Sequence, residues 1–489
     1  MNDKAKLELW TLDVALGLGI LADLLLRTFP WGVNFALWAA LLVAAAFLLG
    51  RQRKAFDHGG GWLMLPLLLA PLAFLWHDSV PLNLLNLLAL GIALALLVLR
   101  AQGARLRVSG LVKYALGGII TGLNTTFGIF PLLFGSTEWK KSAHGSRALG
   151  AVLRGVAFSL LPLLVFGSLM MAADAVFNNL VHRVFHFGFT DSFLIGLFAA
   201  WVGGYLRGLL FGNELSLAPA ARSLPFALGS IETGVLLGLL DLLFLAFVVV
   251  QVRYFFGGSA LVHATTGLTY SEYARRGFFE LLAVAALVLP LLLFTAWLLR
   301  PDDAVAQRCF RWLAGIQIGL LFVIITSAFQ RLRLYEAEYG LSEQRLYPTA
   351  FLVWLAVVFV WFSLTVMRGE RERFAFGAMV AGFLLIAALH LVNPDALIAR
   401  TNLARARTTG KFDAHYAASL SDDAVPEMVR GLSAVNPAER CELAKALLGR
   451  LPSATGTDWR SWSYARAQAR EILQTNQSAL QAACTEMLR

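Results

Sequence analysis

Apolar runs of about 20 residues recur from Trp10 to Leu391, each long enough to cross the hydrocarbon of a bilayer as a helix. The first covers Trp10 to Phe29 and turns at Pro30, and the second ends at Gly50. Trp62–Trp76 and Pro81–Leu99 follow, then Leu149–Met171, Phe193–Phe211, Ile231–Val252, Phe278–Leu299, Trp312–Phe329, Ala350–Met367 and Phe374–Leu391. The stretch from Tyr114 to Phe134 is apolar but carries Gly117, Gly118, Asn124, Thr125, Thr126 and Pro131, which predicts a re-entrant or interfacial path. After Asn393 the chain turns water-soluble. The pattern predicts an all-α polytopic bundle of about eleven spans, twelve if 114–134 crosses, over residues 1–392. A small helical domain follows over 393–489, with Asn436-Pro437-Ala438-Glu439 as one helix start, a second helix over Trp459–Leu473 and a short one ending near Met487.

Charge sets the orientation. The residues are 58% hydrophobic and 15% charged, too few charges for a soluble fold of this size. The net charge of +10 fits basic loops against anionic headgroups better than it fits nucleic acid. Basic residues recur at every second connection: Lys4 and Lys6, Arg51 to Lys54, Arg100 to Arg107, Arg222, Arg300 to Arg311, and Arg368 to Arg373. That side is read as cytoplasmic, with the N-terminus there and the tail periplasmic. The first apolar run holds Asp13 and Asp23 and lacks a cleavage site, so it is expected to be retained. Cys441 and Cys484 fall in the tail, where an oxidising compartment would let them pair; two separate thiols are the alternative.

Polar residues inside apolar runs need partners or a wet cavity. Asp241 lies mid-span, and Asp23 comes out at a similar depth. The two are candidates for a proton or cation relay, though Asp23 also sits one turn from Arg27 and could simply pair with it. Arg207 and Glu232 are expected to neutralise each other. Gly204–Gly208 and Gly234–Gly238 are expected to let helices approach closely. On the external side Glu272, Arg275, Arg276, Glu280, Arg331, Arg333, Tyr335, Arg345 and Asp395 cluster near span ends. They make either an interfacial belt of ion pairs and tyrosines or a site for an anionic lipid or glycolipid. His182 and His186, one turn apart, fit an interfacial helix better than a metal pair. No zinc spacing, phosphate loop or dinucleotide fingerprint occurs in the tail, so neither metal nor cofactor is expected.

Several strings resemble an uncharacterised bacterial inner-membrane family, the domain of unknown function of the 4173 type, related to the 4153 type. They are Thr269 to Glu280, Arg333-Leu334-Tyr335, Tyr339-Gly340-Leu341, Arg345-Leu346-Tyr347, Asn393-Pro394-Asp395 and Leu420 to Pro426. The resemblance implies architecture and a bacterial inner membrane, without a reaction. Three function classes follow. Transport or handling of lipids and envelope precursors is preferred, ahead of an enzyme acting on a lipid-linked substrate at the external face. The third is a sensor or scaffold with a partner-binding tail, whose partner the sequence does not name.

Overall fold

The computed structural model describes residues 3–51, 61–134, 170, 189–212, 228–266, 278–300, 302–451 and 458–485. Among these, the chain is helical throughout, with an isolated bridge between Leu228 and Leu299. The membrane part contains α1 (Asp3–Leu26), α2 (Val33–Gly50), α3 (Met64–Trp76), α4 (Val80–Ala101), α5 (Leu111–Phe127) and α6 (Ile129–Phe134). It continues with α7 (Phe189–Phe211), α8 (Ser230–Thr266), α9 (Phe278–Leu298), α10 (Ala304–Tyr339), α11 (Glu343–Thr365) and α12 (Arg371–Val392). Nine described helices are long and apolar enough to cross a membrane, and Gly61–Trp76 is a shorter apolar helix. The chain is therefore an integral membrane protein. The expected span over 149–171 lies almost wholly outside the described residues, as do His182 and His186.

The spans form two packed groups. One core gathers Leu18, Phe35, Phe74, Leu97 and Leu206 from α1, α2, α3, α4 and α7. The other gathers Leu237, Leu292, Leu321, Phe359 and Phe374 from α8 to α12. Within the first, Gly204 on α7 has no room for a Cβ, because the Asn124 and Thr125 carbonyls of α5 lie against it. Backbone touching backbone is what the glycine permits. The 17 residues of α5 make a rod of about 25 Å. Its end at Gly128 also lies against Gly204, only about 10 Å from the C-terminus of α7, so α5 runs obliquely.

One span, α10, is longer than the hydropathy suggests. Asp303 caps α10 by accepting from Val305 N and Ala306 N at 3.0 and 2.8 Å. At 36 residues, α10 extends about 54 Å, well beyond the bilayer, and its far end at Gly340 reaches the tail. There Gly340 has φ +79°, and the Asn402 amide both accepts from Leu341 N (2.7 Å) and donates to Leu341 O (2.8 Å).

The tail holds α13 (Pro394–Thr409), α14 (Ala414–Ser419), α15 (Val425–Gly431), α16 (Pro437–Leu448), α17 (Tyr464–Thr475) and α18 (Gln477–Thr485). It has its own core of Ile398, Val425, Met428, Leu443, Leu447 and Leu473. The helix expected over Trp459–Leu473 begins later, because Ser463 caps α17 and Trp459–Ser461 forms a separate short turn. Asn436 caps α16 through Glu439 N at 3.0 Å. All tail contacts fall on one face of the bundle: the α1–α2, α3–α4 and α10–α11 connections and the end of α12. Arg51, Arg100, Arg300 and Arg371 lie at helix ends on the opposite face, where Arg371 donates to Ala296 O.

Candidate functional site

The connection between α3 and α4 is only His77-Asp78-Ser79, and Pro81 locks the first turn of α4. A helix start exposes amides that need acceptors. Ser79 does not cap α4 with its own side chain. Instead the carboxylate of Asp423, carried by the tail, accepts from Asp78 N (2.7 Å) and Ser79 N (3.2 Å). A residue 344 positions away thus supplies the anion that a helix N-terminus favours.

His77 completes the seat. Its Nδ1 lies 2.5 Å from Asp423 Oδ1 and its Nε2 3.1 Å from the carbonyl of His390, one of the last acceptors of α12. A carbonyl only accepts, so Nε2 carries the proton. Both ring nitrogens are therefore occupied. Asn393 Nδ2 (3.4 Å) also donates to Asp423, and Ser421 Oγ lies 3.2 Å from it. His390 Nε2 in turn meets Asn86 Oδ1 at 2.7 Å. The His77 and Asp423 side chains are 2% and 3% exposed, so this contact is withdrawn from water.

Beside it lies a second carboxyl pair. Asn393, at φ 52°, turns the chain from α12 into α13 and caps α13 through Ala396 N. This buries Asp395, which accepts from Ser421 Oγ and from Ser421 N at 3.2 Å. Asp395 lies close to the Glu343 carboxyl, a second acid beside it. Burial pushes the Asp395 carboxyl above its ordinary range. It does the same to Asp78, against the opposing pull of Arg466. Tyr416, whose hydroxyl accepts from Glu343 N at 2.9 Å, is pushed up to about 12 by burial.

Arg466 fastens the tail to two connections of the first helix group. It donates to Asp78 Oδ1 and to the Trp31 carbonyl, both at 2.7 Å, and to Ser461 O. Trp462 O accepts from Val33 N (2.9 Å) and lies so close to Gly32 that a Cβ there would collide with it. Between these fastenings is a cleft of about 540 Å³. Its polar lining is Asp78, Asn83, Glu343, Asp395, Ser419, Ser421 and Arg466; its apolar lining includes Phe29, Trp31, Val80, Leu84 and Leu87.

Of the residues singled out by sequence, Asp395 lies in this cleft and the others are placed elsewhere. Asp23 pairs with Arg27 at 2.6 Å. Asp241 is buried, but α8 packs on α10 while α1 packs on α2 and α7, so the two aspartates do not share a cavity. Arg207 does not meet Glu232: it lies near Glu8 and donates to Asn124 Oδ1 at 3.5 Å, while Glu232 accepts from Gly229 N at 3.0 Å. Matching depth fixes height and leaves direction around the helix open, which is why that pairing fails. Arg345 stacks on Tyr335, 4.0 Å from its ring centre, and donates to Gly340 O. It is satisfied by protein, as a belt requires. Arg331 and Glu280 have interactions of their own, and Arg333 is exposed beside Glu336. Glu272, Arg275 and Arg276 lie outside the described residues. Cys441 and Cys484 come together as a disulfide, with Cα atoms 4.5 Å apart. Among the described residues no group of three metal-ligating side chains occurs.

Reasoning from sequence missed His77, Ser421, Asp423 and Arg466. A signal was present: Asn393-Pro394-Asp395, Ser421-Asp422-Asp423 and Tyr347 all belong to the strings that carry the family resemblance, and they meet here, with Ser79 Oγ 3.4 Å from Tyr347 OH.

A family model described as a domain of unknown function (DUF4153) matches residues 63–431, about three quarters of the chain. The match is to the 4153 type rather than the 4173 type. It ends at Gly431, so it takes in α13 to α15 with Asp395 and Asp423 and leaves out α16 to α18. No curated protein and no solved structure matches the chain.

Proposed function

Because the chain belongs to the DUF4153 family, whose matched unit joins the bundle to the first part of the tail, we propose that bundle and tail work as one device. The reading is an inner-membrane protein of the bacterial envelope that handles an amphipathic, lipid-type substrate at the external face. The cleft carries this reading. It combines carboxyls and serine hydroxyls with apolar groups that include the exposed side chains of Val80 and Leu84. A headgroup and a chain need both kinds of lining. The arrangement favours hydroxyl or amine groups over phosphate, because Arg466 is already engaged and Arg345 is stacked away. Basic loops opposite the tail support a periplasmic tail, and so does a disulfide within it.

The saturation of Arg345 and of both His77 nitrogens favours a second reading, a scaffold without a substrate. Lipid carried through purification of the full chain separates the two. Native mass spectrometry is expected to find a bound lipid that Leu84→Trp, which fills the cleft, displaces without unfolding the protein. If wild type carries none, or the variant retains it equally, the scaffold reading stands.

A further inference from the structure

A second polar site lies about 16 Å into the membrane part, independent of the cleft. Thr233, Leu237 and Asp241 share one buried face of α8 at four-residue spacing, turned toward α10. Gly234 lies against Cys309 Sγ of α10, and both helices start at the same face, so they run parallel. Counting seven residues on from that contact brings Asp241 level with Ile316 and Gln317. Asp241 and Gln317 are 7% and 0% exposed. Among the described residues, both carboxylate oxygens of Asp241, both amide atoms of Gln317 and the Thr233 hydroxyl have no hydrogen-bond partner. A crevice of about 570 Å³ opens beside them, lined by Gly234, Gly238, Asp241, Leu313, Ile316 and Leu320.

An unpaired carboxylate at this depth is strongly disfavoured unless something neutralises it. Among the described residues the chain's own candidates do not. Glu232 sits more than two turns before Asp241 on α8, while Arg308, Cys309 and Arg311 lie near the start of α10. Asp241 and Gln317 offer three oxygens, fewer than the six or more that hard cations gather. A proton needs one. We propose that Asp241 and Gln317 form a proton-binding site within the membrane, reached through the crevice beside Asp241. In the protonated state the Asp241 carboxyl donates to a neighbouring oxygen, and the Gln317 amide donates to the carboxyl in return.

Dicyclohexylcarbodiimide, an apolar reagent that modifies protonated carboxyls in membranes, tests this on the full chain in liposomes. The expected result is a label on Asp241 that falls as pH rises and disappears in Asp241→Asn. Gln317→Leu removes a donor to the ionised form, so the pH of half-labelling should rise by about one unit. An unlabelled Asp241 in folded protein, a label indifferent to pH, or protection by sodium at fixed pH would each overturn the proposal. An unshifted midpoint in Gln317→Leu would remove Gln317 from the site.

Discussion

Replacing Asp423 with Ala strikes the seat at its centre. The change leaves His77 buried without its partner and withdraws the acceptor from the Asp78 and Ser79 amides. Removing one member of a buried pair costs about 3–5 kcal/mol, because the other polar group stays unpaired in a dry site. Undocking of the tail should therefore become about 10² to 10⁴ times more favourable. Hydrogen exchange reads this directly, since the Asp78 and Ser79 amides are released only when Asp423 leaves. Their exchange should accelerate by a similar factor in the variant. Asp422→Ala is the control: Asp422 pairs with Arg450 at 2.9 Å inside the tail, so exchange at Asp78 should stay unchanged. Joint replacement, His77→Leu with Asp423→Leu, should recover much of the loss, as apolar substitutes for buried pairs do. Unchanged exchange at Asp78 and Ser79 in Asp423→Ala would refute the idea that this carboxylate holds the tail down.

Two further outcomes follow from the tail. Cys441→Ser opens a closure of 43 residues between α16 and α18 and should lower tail stability by about 2–4 kcal/mol, seen as a reductant-insensitive fall in its melting temperature. Asp395→Asn should flatten the pH dependence of melting above about pH 4. A carboxyl whose folded pKa is raised contributes stability that is complete below its unfolded value, about 3.9, and is lost as pH rises through the folded one. Burial gives Asp395 this sign, so at neutral pH the amide variant should melt at or above wild type, and a clearly lower melting temperature would contradict the assignment.

Hydropathy found α9 almost to the residue, because a lipid-facing helix is apolar along its whole length and stops where charge begins. It missed the ends of α10, whose flanking turns are polar yet stay helical through the Asp303 cap and contacts with the tail. Local spacing also revealed Asp23 with Arg27 and Asn436 as a cap, since both interactions lie within one turn. The seat was illegible for the opposite reason. His77 and Asp423 are 346 residues apart, and each alone reads as a solvated loop residue. Periodicity reports which face a residue occupies and carries no record of which distant element covers it. Arg207 and Glu232 show the same limit within the membrane.

The trans cap on α4 bears on the order in which the protein can mature. At roughly 5–20 residues per second, the ribosome reaches Asp423 about 20–70 seconds after His77. Throughout that interval the α3–α4 connection carries bare amides and an unpaired imidazole. The bundle therefore enters the membrane with its early helices incompletely fastened, and the last-made segment closes them. A nascent chain truncated before Ser421 would present those open ends to the quality-control proteases of the membrane, and a finished one would not.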